Sequence, residues 1–380
     1  MNKCIVSQRG DGNYTTIREA IRDASPGTQI QVRPGFYQEN LIIDKSVEVI
    51  GDGPVAEIIV ESRNLPTIQM RADRAVVRGL TIRNREGESL YFRLGFNFSE
   101  HGDLEDKANA VYIPQGHLIL EQCDITSERG ECVFVESPEA NPIIRECKIH
   151  HGYNSGVAFR YNARGKVEDC DIFGVNGVGV WIVQGGNPVI QRCQIHDCKH
   201  NGIVFDKKGL GIVEDCDIFN NPVAQVAILH ESNPVIRRCK IHHGGMSGLV
   251  VDLSGLGTIE ESDIFSNAGE GVKITQSGNP MIRKCQVYDS DENGICSRVN
   301  GLGTIEECSI FGNAKSGVVT AEGGNPTIRR CKINRNGYEA VWATEGGEGS
   351  IENCDLMGNT RGAWDIQPGC NVHSNGNRED

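Results

Sequence analysis

The chain contains no run of the roughly 18 apolar residues that a membrane span requires. It is poor in aromatics, at 6%, with three Trp and five Met among 380 residues. It has no excess of positive charge: the net charge is −13, which disfavours a nucleic-acid or anionic-membrane binder and favours solubility. The opening Met1-Asn2-Lys3-Cys4-Ile5-Val6-Ser7 lacks the apolar stretch of a signal peptide. Fifteen cysteines, an odd number, then read as reduced and buried thiols rather than a disulfide scaffold, and the expected compartment is cytoplasmic. Long helical periodicity is also missing beyond the first 25 residues. What is present is repetition.

Asn-Pro recurs at Asn141, Asn187, Asn233, Asn279 and Asn325, each 46 residues from the last. Cys147, Cys170, Cys193, Cys216, Cys239, Cys285, Cys308, Cys331 and Cys354 fall on a 23-residue ladder, with Ser262 as its one substitution. Gly156, Gly179, Gly202, Gly248, Gly271, Gly294 and Gly317 keep the same step. Each repeat reads as two short strands, Ile-x-x-Cys-x-Ile and Gly-apolar-x-apolar. Twenty-three residues are too few for a strand-helix-strand crossover of about 30. Strands coiled directly above one another satisfy the spacing, with like positions stacked about 4.8 Å apart in a parallel ladder. Ile144, Val167, Ile190, Val213 and Ile236 then form one inward column.

The outward columns alternate in sign. Arg145, Glu168, Gln191, Glu214, Arg237, Glu260, Arg283, Glu306, Arg329 and Glu352 form one, and Arg192, Asp215, Arg238, Glu261, Lys284, Glu307 and Arg330 the next. Stacking would set cations between anions, which explains a period of 46 in detail and 23 in outline. At the start, Ile17, Ala20, Ile21 and Ala24 have helical spacing, and this helix is the natural cover for an open solenoid end.

The expected fold is therefore all-β: a single-stranded right-handed parallel β-helix of 23-residue turns, about 13 of them, with an N-terminal capping α-helix. It forms a single domain over 1–370, with cap and first turns in 1–45, an inserted acidic and aromatic loop at 84–107, and regular repeats in 141–366. The polar tail, 371–380, is expected to fray.

Asp11-Gly12-Asn13-Tyr14-Thr15-Thr16-Ile17, Pro34-Gly35-Phe36-Tyr37-Gln38-Glu39-Asn40 and Ile50-Gly51-Asp52-Gly53 closely resemble the opening of pectinesterase-type β-helices. Asn-Pro-x-Ile-Arg-x-Cys-x-Ile and Gly-x-Gly-x-Ile-Glu-x-Cys-x-Ile-Phe resemble the pectin-lyase-like β-helix repeats of carbohydrate-binding and sugar-hydrolase domains, of periplasmic copper-insertion proteins and, most of all, of F-box substrate receptors. The resemblance implies the fold firmly and the activity weakly, because this scaffold hosts many functions. In the segment following Ala108–Ile113, where pectinesterases carry a Gly-Tyr-Gln-Asp-Thr-Leu-like stretch, this chain reads Glu121-Gln122-Cys123-Asp124-Ile125-Thr126-Ser127 and Cys132-Val133-Phe134-Val135. No F-box-like module precedes the repeats, so a ubiquitin-ligase role does not carry over.

Two functional readings follow. The first is a non-catalytic scaffold that binds a protein or polysaccharide, or a second copy of itself, along an outward apolar strip: Trp181, Val204, Ala227, Val250, Val319 and Trp342. The alternative is a carbohydrate-active enzyme acting on an acidic polysaccharide (lyase, hydrolase, epimerase or esterase), its site among Arg93, Glu100, Asp103, Asp106 and Lys107. No cofactor, nucleic-acid or membrane partner is expected. For a metal the weak candidates are His196, Cys198 and His200, since His150, His196 and His242 stand two turns apart, about 9.6 Å, too far to share an ion.

Overall fold

The computed structural model describes residues 2–86 and 108–379. The chain divides into two compact units, residues 1–181 with 186–189, and residues 182–185 with 190–380. Each is a coil of short parallel strands, and together the described residues make about 15 turns of β-solenoid with almost no helix.

In the first unit the helix Ile17–Asp23 buries Ile17, Ala20 and Ile21 against the first strands. Its first turn is closed by two side chains. Thr16 Oγ1 accepts from the Glu19 N–H at 3.3 Å, and the Glu39 carboxylate accepts from Ile17 and Arg18 at 3.0 and 2.8 Å. An acidic group at the positive helix end is favourable, so the cap is held by the coil it covers. Residues 87–107, which hold most of the expected insertion, lie outside the described residues; Thr81–Arg85 is an ordinary strand, paired with Ile58–Arg63.

The regular turns have three strands, not two. In the second unit one turn consists of Ile212–Glu214, Asp217–Phe219 and Val226–Ile228. The next, Val235–Arg237, Lys240–His242 and Leu249–Val251, lies on it in register, with Val213 paired to Ile236, Ile218 to Ile241 and Ala227 to Val250. The Ile-x-x-Cys-x-Ile segment is two strands bent at a corner. The residue before the cysteine adopts a left-handed backbone, as at Asp215 (φ 55°), Arg238 (φ 52°) and Glu261 (φ 51°).

Two buried ladders hold these corners. At the first, the Cys239 N–H donates to Ser262 Oγ one turn on at 3.1 Å, and the Cys308 N–H donates to Cys331 Sγ at 3.4 Å. The Cys308 thiol in turn donates to Glu306 O at 3.3 Å. Ser262 substitutes because the position needs a small acceptor more than it needs sulfur. At the second corner stands an asparagine ladder absent from the sequence-based expectation: Asn221, Asn267, Asn313, Asn336 and Asn359, all buried. Asn336 Oδ1 accepts the Asn313 N–H at 3.2 Å, while its Nδ2 donates to Ile310 O at 3.2 Å and Asn359 Oδ1 at 2.9 Å.

The outer face follows the expected charge pattern. Arg237 and Arg238 both bind Glu214, at 2.6 and 3.1 Å, and Arg238 also binds Asp215 at 2.8 Å. Arg329 reaches Glu306 at 3.1 Å. Exposed pairs of this kind contribute about 0–1 kcal/mol each, so they set register more than stability. The middle sheet carries an aromatic ladder. His196, Phe219, His242, Phe265, Tyr288 and Phe311 stack with centroids 4.6–5.3 Å apart. The Arg335 guanidinium lies over Phe311 at the ladder's end, 4.9 Å from its centroid.

The tail is not frayed. Asn371–Asn375 pairs with Glu348–Glu352, and the Arg378 N–H donates to Cys354 O at 2.8 Å. Such pairing uses backbone groups, which polar side chains do not prevent.

Replacing Asn336 with Leu strands the Asn313 N–H and the Ile310 carbonyl. A stability loss of about 1–3 kcal/mol is expected for each group left unsatisfied, read as a lower midpoint in urea unfolding. A second prediction concerns pH. Burial disfavours the charged form of His242 and holds its pKa below the usual 6.5, against the opposing pull of Asp217. The unfolded chain then binds the proton more readily, so stability is full above 6.5 and falls as pH drops through the lowered folded value. His242→Phe, which keeps a ring in the stack, should lose less stability than wild type between neutral and mildly acidic pH. Equal losses would refute this account.

Candidate functional site

In the first unit the described pairing is irregular where the second sheet turns into the third. Pairing between Asp124–Ser127 and Lys148–Gly152 slips between Ile125 and Ser127, an irregularity of the kind that re-aims side chains. The loop that follows is tied at both ends. Ser127 Oγ accepts from the Gly130 N–H at 3.2 Å and donates to Ala108 O at 3.3 Å, and Asn109 Oδ1 accepts from the Glu131 N–H at 2.9 Å. Gly130 passes so close to Asn109 that a Cβ would sit 2.5 Å from Oδ1, which only glycine avoids.

This loop places Glu131 inside the protein, its side chain 8% exposed, against Arg160 Nη2 at 3.0 Å. The Arg160 guanidinium is clamped by aromatic rings, 5.1 Å from the Phe134 centroid and 4.4 Å from that of Trp181. Tyr112 stacks on Phe134 at 5.6 Å and donates its hydroxyl to Glu136. Tyr112, Phe134 and Ala158 are vertical neighbours on three successive turns of the third sheet, with Trp181 packed against them. Ser155 lies one turn on from Glu131, two residues before Val157 as Glu131 is two before its partner Val133. Ser155 Oγ and Arg160 Nε are both buried without a hydrogen-bond partner. A buried donor left unpaired costs about 1–3 kcal/mol, and both of these lie within about one turn of Glu131. Cys132 is also here, but burial pushes its thiol pKa well up, which leaves it protonated and a poor nucleophile.

The sequence-derived residues distribute differently. Arg93, Glu100, Asp103, Asp106 and Lys107 lie outside the described residues. The apolar strip of the third sheet is real as a column but not uniformly exposed. Val204, Ala227 and Val319 are 8%, 5% and 4% exposed, while Trp181, Val250 and Trp342 are half-buried. In the second unit it floors a groove of about 350 Å3 lined by Met246, Ser247, Val250, Lys273, Thr275 and Arg298. Arg298 is paired with Glu322, and Ser247 with Glu270. His196, Cys198 and His200 do not converge. Cys198 is buried, His196 stacks outward on Phe219, and His200 faces Asn201 at 2.9 Å. Alternation along the strand and the bend after it send the three side chains apart.

Glu131, Ser155 and Arg160 were missed by sequence reasoning. A signal existed: the third-sheet column holds three aromatics, Tyr112, Phe134 and Trp181, within four turns here and only Trp342 further on, and Glu128-Arg129-Gly130-Glu131 interrupts the spacing. No helix among the described residues is long and apolar enough to cross a membrane.

Among known proteins, residues 97–236 and 224–378 match the family described as the right handed beta helix region. The chain is 32% identical over 167 residues to a probable pectinesterase/pectinesterase inhibitor 17 of Arabidopsis thaliana, covering 39% of this chain and 32% of that protein. It is 28% identical over 165 residues to pectinesterase 2 of Citrus sinensis, covering 38% and 32%. The chain thus spans about a third of the length of these curated relatives. Of solved structures, the mannuronan C-5 epimerase AlgE6 A-module of Azotobacter vinelandii superposes with a TM-score of 0.50 at 16% identity, covering 95% of this chain and 92% of that one. A pectin methylesterase from Aspergillus niger gives 0.45 at 16% identity, over 61% and 82%. At this identity the structural likeness concerns the fold. The expectation of a non-catalytic binding scaffold is overturned by these relatives, which carry enzyme names and favour the carbohydrate-active alternative. With both matched segments spanning the repeats, and three parallel sheets coiling as the repeats require, the chain belongs to the right-handed β-helix family.

Proposed function

We propose that this protein is a carbohydrate-active enzyme that works on the carboxyl groups of an acidic, uronate-rich polysaccharide, at the cluster around Arg160. The observation that carries the reading is a guanidinium clamped between Phe134 and Trp181, bound to Glu131, with its buried Nε unpartnered. The pectinesterase names of the relatives support ester hydrolysis as the reaction.

Hydrolysis of a uronate ester needs three things: a carboxylate that attacks the acyl carbon or activates water, donors for the charge that develops on the acyl oxygen, and a proton for the departing alcohol. Glu131 is the carboxylate. Arg160 Nε and Ser155 Oγ are the donors, already buried and thus costing no reorganisation when charge appears. Glu136, which accepts the Tyr112 hydroxyl, supplies the proton-handling pair. In this scheme a Glu131 oxygen bonds to the acyl carbon as the acyl–oxygen bond of the ester breaks and the alcohol leaves with a proton from Tyr112; water then cleaves the Glu131–acyl bond to give the free carboxylate, one of its protons returning to Tyr112 and the other passing to solvent.

The test is methanol release from methyl-esterified pectin by the purified chain. Arg160→Ala should lower turnover by roughly 10²–10³-fold, the usual loss for one oxyanion donor. Glu131→Gln should be at least as damaged while retaining the wild-type circular dichroism spectrum. Undiminished turnover in Arg160→Ala would move the site elsewhere, and a folded wild type inert on every acidic polysaccharide would end the proposal.

A further inference from the structure

Adjacent residues on a strand point to opposite faces, so two neighbours seldom act on one ligand. The second corner of each turn breaks that rule. At this corner one residue takes a left-handed backbone, with φ 53° at His151 and 54° at His243, and its ring lies beside that of its predecessor. At two such corners, 92 residues apart in sequence, both positions are histidine: His150-His151 and His242-His243.

The two corners are built alike. Nδ1 of His242 faces Nδ1 of His243 at 2.6 Å, and Nδ1 of His150 faces Nδ1 of His151 at 2.5 Å. In each pair the ring centroids lie 4.8 Å apart with the planes at 80°. The inner ring of each rests on a phenylalanine, His242 on Phe265 at 4.6 Å and His150 on Phe173 at 4.9 Å. Each inner ring also meets a carboxylate from the preceding turn through its far nitrogen: Asp217 Oδ1 to His242 Nε2 at 2.8 Å, and Asp124 Oδ1 to His150 Nε2 at 3.1 Å. An aspartate that accepts from Nε2 fixes the proton there and leaves Nδ1 with its lone pair. That arrangement orients the free ring nitrogen of each histidine towards a metal. The outer histidines, His151 and His243, are exposed, so an ion can reach both pairs.

We propose that His242 with His243, and His150 with His151, form two divalent transition-metal sites, each a clamp of two Nδ1 atoms backed by Asp217 or Asp124. The ligand class is a first-row ion that accepts imidazole, with Cu²⁺ tightest and Zn²⁺ behind it by the general affinity order. Metal–nitrogen bonds of about 2.0–2.1 Å place the nitrogens about 2.9 Å apart at the right angle of Cu²⁺ and about 3.3 Å apart at the tetrahedral angle of Zn²⁺, against a present spacing of 2.5–2.6 Å. Rotation of the exposed outer ring supplies the difference. Among the described residues no three His, Cys, Asp or Glu side chains group as metal ligands, so water fills the remaining positions. The protein's charge of −13 favours cations at its surface.

A third corner provides an internal control. There Asp197 stands in place of the second histidine, and Nδ1 of His196 meets its carboxylate at 2.6 Å. That nitrogen is engaged as a donor, so two sites are expected, not three.

Calorimetric titration of the whole chain with Zn²⁺ and with Cu²⁺ should give two equivalents, and the Cu²⁺ form should show nitrogen coupling from two imidazoles in its electron paramagnetic resonance spectrum. His243→Asn, a residue that tolerates the left-handed corner, should leave one equivalent. Adding His151→Asn should leave none. Asp217→Asn should weaken one site by roughly 10–100-fold without removing its nitrogens, as loss of an outer carboxylate does. Unchanged stoichiometry and affinity in the double variant, or no saturable uptake by wild type, would overturn the proposal. None of these readouts depends on the reaction proposed for the Arg160 cluster.

Discussion

The structure depends on one constraint: a corner that turns inward exposes a backbone N–H to an apolar interior, and the nearest available acceptor belongs to the next turn. A buried donor without a partner costs about 1–3 kcal/mol, and a solenoid has such corners in every turn. Each ladder is a solution repeated vertically. Cysteine or serine accepts at one corner and asparagine at the other, as with Cys331 for Cys308 and Asn336 for Asn313. Because the acceptor comes from the following turn, no residue can change its role without disturbing its neighbour's backbone. This ties the period more tightly than apolar packing alone, which tolerates exchanges such as Ile for Val in the inward column.

The period was legible because side-chain identity repeats with it. The cysteine column, the sign alternation from Glu214 to Arg237 to Glu260, and the capping helix at Ile17–Asp23 all lie where the pattern puts them. The third strand was not legible, for a physical reason. Left-handed corners are usually announced by glycine or asparagine, whereas here Asp215, Arg238, Glu261 and Glu307 occupy them. With charged residues at the bend, Ile-x-x-Cys-x-Ile reads as one continuous strand. The asparagine ladder was hidden by substitution, since Cys198, Gly244 and Ser290 interrupt it while the backbone keeps its course. The tail misled in the opposite way: composition argued for disorder, yet pairing of Asn371–Asn375 requires only backbone groups.

The proposed site was illegible for a different reason. Repeats teach the eye to discount residues that depart from them, and Glu131, Ser155 and Arg160 are such departures. What joins them is vertical: Glu131 and Ser155 are 24 residues apart in sequence and neighbours in space, because one turn here is a residue longer than the standard 23. The apolar strip drew attention because it is regular, but regularity along this fold reports stacking. Val204, Ala227 and Val319 are covered, and their apolar character follows from that cover.

The aromatic ladder bears on where a polysaccharide can sit. Sugar rings pack on aromatic faces, and a run of stacked rings looks at first like a platform for them. In His196–Phe219–His242–Phe265–Tyr288–Phe311, however, each face is taken by the next ring, with planes within 2–17° of parallel, and Arg335 covers the face of Phe311. Only ring edges are presented outward. The ladder is thus a structural seam, and it argues against carbohydrate running along the middle sheet. At the third-sheet cluster the rings instead surround a cation, and a cation beside an unpaired donor suits a carboxyl group better than any ring edge does. The same stacking that closes the middle sheet leaves the third-sheet cluster, with its cation and unpaired donor, as the place for the proposed reaction.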